Sequence, residues 1–143
     1  MSLDDLYRDV ILDHYSHPRN KGVLEGASVT REGANPLCGD EIRLSLFVRD
    51  GVVQDVRFDG KGCSISQASA SMMTERVKGK AVAEAERLIA AFKAMMRGEG
   101  AGEEMGDLEA LQGVRKFPVR VKCATLGWLT LEGALEEAAA RAR

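Results

Sequence analysis

The 143-residue sequence contains no Cys-x-x-Cys pair, only two histidines and three prolines, and no apolar run approaching the roughly 18 residues that cross a bilayer. The last absence argues against a membrane-spanning helix. The chain opens Met1-Ser2-Leu3-Asp4-Asp5, with acid where a secretion signal carries positive charge, and no apolar segment follows. The expected location is therefore the cytoplasm, or an organelle matrix after processing. The formal net charge is −2, so no excess of positive charge points to nucleic acid or an anionic membrane as partner. Internal repeats, interdomain linkers and a phosphate-loop pattern after Gly60-Lys61-Gly62 are also missing. Three cysteines cannot all pair within one chain. An odd count without a secretion signal points to free thiols, metal ligation or catalysis rather than a disulfide framework.

What is present is an ordinary globular composition, 45% hydrophobic and 29% charged, in a chain long enough to fold as one domain over residues 1–143. Apolar residues at Leu3, Leu6, Tyr7, Val10, Ile11 and Tyr15 have helical spacing, and His17 to Gly22 reads as a stop and turn. Residues 27–33 are a weak strand. Ile42, Leu44, Leu46 and Val48 alternate along a half-buried strand over 41–49, Asp50-Gly51 makes a hairpin turn, and residues 52–60 form the return strand. Ser64 or Ser66 caps a helix over 67–78. A second helix spans 81–97 with Leu88, Ile89, Phe92, Met95 and Met96 on its apolar face. Residues 98–106 read as an exposed, mobile loop and 108–114 as a short helix broken by Phe117-Pro118. The last helix runs 123–141 with Leu126, Leu129, Leu131 and Leu135 buried. Strands first and helices later give the α+β class: a small antiparallel sheet of about three strands packed against helices.

Cys38, Cys63 and Cys123 each fall at a boundary between a loop and a predicted element. Cys63 and Cys123 precede or open helices, whose N-termini favour the thiolate. Asp40, two residues after Cys38, supplies an oxygen donor. Three thiolates and one carboxylate suit tetrahedral Zn²⁺, and the same thiolates suit iron–sulfur clusters. Spacing alone leaves three separate buried thiols as good a reading as one shared site. His14 and His17, three apart, read as capping and surface residues rather than ligands. The serines Ser64, Ser66, Ser69 and Ser71 lack an acid–histidine partner in the sequence and read as caps and packing residues.

Three longer motifs carry more. Asn35-Pro36-Leu37-Cys38-Gly39-Asp40, Gly60-Lys61-Gly62-Cys63-Ser64-Ile65-Ser66-Gln67 and Pro118-Val119-Arg120-Val121-Lys122-Cys123-Ala124-Thr125-Leu126-Gly127-Trp128, with Ile11-Leu12-Asp13-His14-Tyr15-Ser16-His17-Pro18-Arg19-Asn20 before them, resemble the signatures of the IscU/SufU family of iron–sulfur cluster assembly proteins. The resemblance runs over nearly the whole chain. It implies an IscU/SufU-like fold and a metal site made by Cys38, Asp40, Cys63 and Cys123. IscU-type scaffolds build a [2Fe–2S] cluster and carry histidine before the third cysteine; this chain has Lys122 there. Cys123 also stands 60 positions after Cys63, a longer spacing that resembles the SufU-type branch, as does Arg120.

The SufU-type resemblance implies Zn²⁺ at the site and transfer of persulfide sulfur from a SufS-like cysteine desulfurase towards downstream cluster-assembly or acceptor proteins. Cys38, in a glycine-flanked loop, is then the expected sulfur acceptor, with Arg120 pairing with Asp40 or with the released thiolate. The alternative is a scaffold holding iron or a [2Fe–2S] cluster at the same residues. A purely structural zinc domain is the third reading, disfavoured by Asp40 because structural zinc sites mostly use cysteine and histidine.

Overall fold

Asp50 and Gly51 both adopt positive φ, 55° and 73°, the backbone of a tight two-residue hairpin turn. The turn joins β2 (Asp40–Arg49) to β3 (Val52–Lys61), and β1 (Val29–Asn35) pairs antiparallel with the other edge of β2. In this computed structural model, which describes residues 3–100 and 104–141, the sheet order is β1-β2-β3. A register shift at Phe47 and Val48 places a bulge in the β2–β3 ladder. Ile42, Leu44 and Leu46 of β2 and Val56 and Phe58 of β3 point to one face and are buried, as their alternation requires.

Helices cover that face. α1 (Leu3–Ser16) packs on α2 (Ser64–Val77), and α4 (Pro118–Arg141) lies against α2, β1 and β2. α3 (Val82–Met96) joins the core through Phe92, whose ring stacks on Trp128 of α4 with centroids 4.4 Å apart. A 3₁₀ segment, Gly106–Lys116, buries Leu108, Leu111 and Val114 and packs on α1. The expected α+β class and three-stranded antiparallel sheet are both observed.

Several local expectations are corrected. α4 begins at Pro118, not at Cys123, because proline is tolerated at a first helical position where its missing N–H costs nothing. Leu129 is half exposed; two residues along a helix is about 200° of rotation, so it faces away from buried Leu131. α2 begins at Ser64, with Cys63 as its N-cap and no side-chain cap. On α1, Leu6 and Tyr15 are exposed while His14 is fully buried; the side chain of Leu3 lies outside the described residues. Of the loop expected at 98–106, residues 101–103 lie outside the described residues and Met105 is buried. No described helix is long and apolar enough to cross a membrane.

Candidate metal centre

Asn35 and Asp40 are the last pair of the β1–β2 ladder, so residues 36–39 form a four-residue hairpin loop. The Cys38 N–H donates to the Asn35 carbonyl at 3.2 Å, and Gly39 takes φ 70°, which turns the chain back into β2. This loop carries Cys38, half-buried, and delivers Asp40, 1% exposed, into the protein. β3 ends at Lys61, Gly62 follows it, and Cys63 caps the start of α2 from the other side. Cys123 comes from the second turn of α4 and is fully buried.

The sulfurs of Cys38 and Cys123 and a carboxylate oxygen of Asp40 lie within 4.8 Å of one another. Cys63 is not part of that tightest group, but it adjoins it. Its backbone N–H donates to Asp40 Oδ1 at 2.9 Å, and its side chain is among the groups that push up the Cys123 thiol. The fold thus brings together all four expected donors, three of them tightly. Ligands about 2.3 Å from one tetrahedral ion lie under about 4 Å apart, so small inward shifts let this donor set embrace a Zn²⁺. Three soft sulfurs with one oxygen also fit that ion chemically.

Burial opposes ionisation of Asp40. Hydrogen bonds from the Cys63 N–H, the Cys123 thiol, the Ser66 hydroxyl and the Asn35 amide outweigh it and hold the carboxyl below its ordinary value. Burial, with hydrogen bonds to Cys38, Asp40 and Cys63 and the charge at Cys63, drives the Cys123 thiol far above the ordinary thiol range. The metal-free site therefore keeps a proton on Cys123, donated to Asp40. This reverses the thiolate expected for Cys123 from a helix N-terminus, because Cys123 sits a turn inside α4 rather than at its start.

Arg120 is exposed at the start of α4. The sulfur of Cys63 first, then those of Cys123 and Cys38, hold its guanidinium more firmly in the charged form. It thus faces the thiols, where pairing with Asp40 was one of the two expected roles.

Two residues shape the site in ways the sequence reading did not give: Asn35, which it missed, and Gly62, which it took only as a glycine that lets the backbone approach an ion. The Asn35 amide nitrogen lies 3.3 Å from Asp40 Oδ2 and 3.6 Å from Cys123 Sγ. Gly62 leaves open the volume that the Asp40 carboxylate fills. Both stand inside the motifs, beside the cysteines. His14, read as a surface residue, is instead buried between α1, α2 and the 3₁₀ segment. Its Nδ1 lies 2.8 Å from Ser71 Oγ and its Nε2 3.0 Å from Asp107 Oδ2. With Asp107 ionised, Nε2–H donates to it and Nδ1 accepts the Ser71 hydroxyl. His17 is exposed and pairs with Asp13 at 3.6 Å.

Comparison with known proteins identifies relatives of the chain. The family model of the NifU-like N-terminal domain matches residues 6–136. The "Zinc-dependent sulfurtransferase SufU" of Bacillus subtilis is 53% identical over 92% of this chain and 90% of its own length. The "Iron-sulfur cluster assembly scaffold protein IscU" of Thermotoga maritima is 44% identical over 92% of this chain and 94% of its own. The crystal structure of FiSufU, a SUF-system protein of Fervidobacterium islandicum, superposes with a TM-score of 0.86 at 36% identity, covering 94% of this chain and 99% of that one. The chain belongs to the family of the NifU-like N-terminal domain, the IscU/SufU family that its cysteine motifs resemble.

Proposed function

We propose that the protein is an iron–sulfur cluster assembly factor of the SufU kind, accepting persulfide sulfur from a cysteine desulfurase and passing it on. The observation that carries this reading is the asymmetry of the site. Cys38 is half-buried on a four-residue loop, whereas Cys123 is locked inside α4. Identity of 53% to a relative named for zinc-dependent sulfur transfer supports it, against 44% to one named as a scaffold.

Cys38, Asp40, Cys63 and Cys123 are the residues that would hold Zn²⁺. When bound, the ion keeps thiols deprotonated at neutral pH and restrains their reactivity. The Cys38 loop is the element that can swing outward, since among the described residues its one backbone tie outside the strand ladder is the Cys38 N–H to the Asn35 carbonyl. The Cys38 thiolate attacks the terminal sulfur of the partner's persulfide. A bond forms between Cys38 Sγ and that sulfur, the partner's S–S bond breaks, and the partner's cysteine leaves as a thiolate. Sulfur moves with no net oxidation. Arg120 supplies positive charge where the persulfide anion develops. The work belongs in the cytoplasm beside a SufS-like desulfurase, with downstream cluster-assembly proteins as acceptors.

The test pairs metal content with sulfur acceptance. About one zinc per chain, a stimulated desulfurase and a persulfide lost in Cys38→Ala support the carrier. Unchanged acceptance in Cys38→Ala removes Cys38 from its role. The second reading, a scaffold for a [2Fe–2S] cluster, rests on the IscU-named relatives. Iron with acid-labile sulfide in the freshly isolated protein would establish it instead.

A further inference from the structure

Asn35 reaches Asp40 and Cys123 through its side chain and Cys38 through its backbone. Its side chain is 7% exposed, with the amide nitrogen 3.3 Å from Asp40 Oδ2 and 3.6 Å from Cys123 Sγ. An ionised carboxylate only accepts, so the NH₂ end of the amide must face Asp40. The other oxygen of Asp40 takes the Cys63 N–H at 2.9 Å. The carboxylate is therefore gripped at both oxygens, from the end of β1 and from the start of α2. Meanwhile the Asn35 backbone carbonyl accepts the Cys38 N–H and closes the loop that carries the half-buried Cys38 thiol.

We propose that Asn35 is the positioning residue that divides the donors into a fixed set and a mobile one. Through its side chain it ties Asp40 and Cys123 together. Through its backbone it holds Cys38 by a single hydrogen bond, 3.2 Å long, in a loop free to open. An N–H donor on sulfur and carboxylate stabilises their charged, ligating forms and makes the sulfur a poorer nucleophile. When the site gives up one thiol to a persulfide, the geometry makes that thiol Cys38 and keeps Cys123 as ligand. The assignment rests on the sulfur-acceptor reading of the site.

The experiment uses Asn35→Leu, which keeps the volume and removes the donor, with Asn35→Ala as a second variant. Each is titrated with cobalt(II), whose thiolate absorption reports the bound sulfurs, in competition with a chelator. Each is then charged by desulfurase and cysteine, and the persulfidated cysteine is mapped by alkylation and mass spectrometry. The expected result, in protein whose urea midpoint shows it folded, is cobalt affinity lower by about 10–100-fold. The persulfide should then spread from Cys38 to Cys123 or Cys63. A residue that served the fold alone would leave both readouts unchanged in folded protein. Unchanged affinity and a persulfide confined to Cys38 would overturn the proposal, as would failure of both variants to fold. If the wild type gives no thiolate–cobalt absorption, the metal-site reading falls; if it binds cobalt and takes sulfur only at Cys123, the acceptor reading falls. Neither result resembles the variant-specific failure that would remove Asn35 alone.

Discussion

The carboxylate of Asp40 occupies the space where a side chain at residue 62 would begin: a Cβ on Gly62 would lie 2.5 Å from Asp40 Oδ1 and 2.5 Å from Ser66 Oγ. Gly62 also takes φ 159°, at the edge of the range that other residues rarely adopt. The glycine is thus a cradle for a charged ligand. Gly62→Ala must push Asp40 aside or shift the start of α2, at about 1–3 kcal/mol of folding stability by the usual cost of overpacking. The protein should still fold, since the core strands and helices are untouched, but its zinc content should fall well below that of the wild type. Metal analysis alongside a urea titration checks both parts. Full zinc loading in the variant would show that Asp40 is not a ligand.

His14 makes a prediction about the frame rather than the chemistry. Its ring is buried and joins α1 to Ser71 of α2 and to Asp107 of the 3₁₀ segment, while Ser71 Oγ also accepts the Arg19 N–H at 2.9 Å. His14→Ala removes a buried ring and strands the Ser71 hydroxyl, so a loss of about 2–4 kcal/mol is expected. Ser71→Ala should cost less, about 1 kcal/mol. The double variant should fall short of the sum, because the two residues share one hydrogen bond. Urea midpoints of the four proteins measure that coupling, and strict additivity would show that the bond contributes nothing.

The contrast between the cysteine site and His14 explains what the sequence could and could not tell. Alternating apolar residues made β2 readable, and Asp50-Gly51 marked its turn, because both depend on neighbours along the chain. The cysteines were readable because each stands in a long motif. His14 was misread because its partners, Ser71 and Asp107, are 57 and 93 positions away and nothing local announces them. Leu129 was misread because every leucine of the segment was counted as buried, although Leu129 and Leu131, two residues apart, lie about 200° apart around a helix. The start of α4 was misplaced because Phe117-Pro118 ends one element and begins the next at the same point.

The two perturbed groups at the site give the metal-free protein a pH signature. Asp40 is held below its ordinary value of 3.8. A depressed folded value means the stabilisation is present above 3.8 and is lost as the pH falls through the lower folded value. Cys123 is raised above its ordinary 9.0. Its neutral thiol therefore stabilises the fold fully below 9.0, and that contribution is lost as the pH rises from there towards the folded value. Metal-free protein should lose denaturation midpoint on both flanks. Asp40→Asn should flatten the acid flank and Cys123→Ala the alkaline one. Saturating zinc should remove the alkaline loss, since the bound thiol is already deprotonated. Midpoints measured across pH with and without the metal decide the matter, and an alkaline flank that survives zinc would separate Cys123 from the metal.

Thiol reactivity tests the site without any partner protein. Alkylation needs a thiolate and a path to solvent. Cys38 and Cys63 are half-buried, whereas Cys123 is fully buried and its thiol is held protonated by burial and by hydrogen bonds to Cys38, Asp40 and Cys63. In metal-free protein, iodoacetamide should label Cys38 and Cys63 first and Cys123 last, with the Cys123 rate following global or local opening of α4. Loading with zinc should protect all three together, because one ion would take up the reactive lone pairs of each. Adding a chelator should restore the unequal order. Site-by-site mass spectrometry reads each rate separately. Protection of Cys38 and Cys123 but not of Cys63 would match the tight cluster of Cys38, Asp40 and Cys123 and remove Cys63 from the ligand set. Equal protection would mean that Cys63 moves in from its place beside Asp40 when the ion arrives.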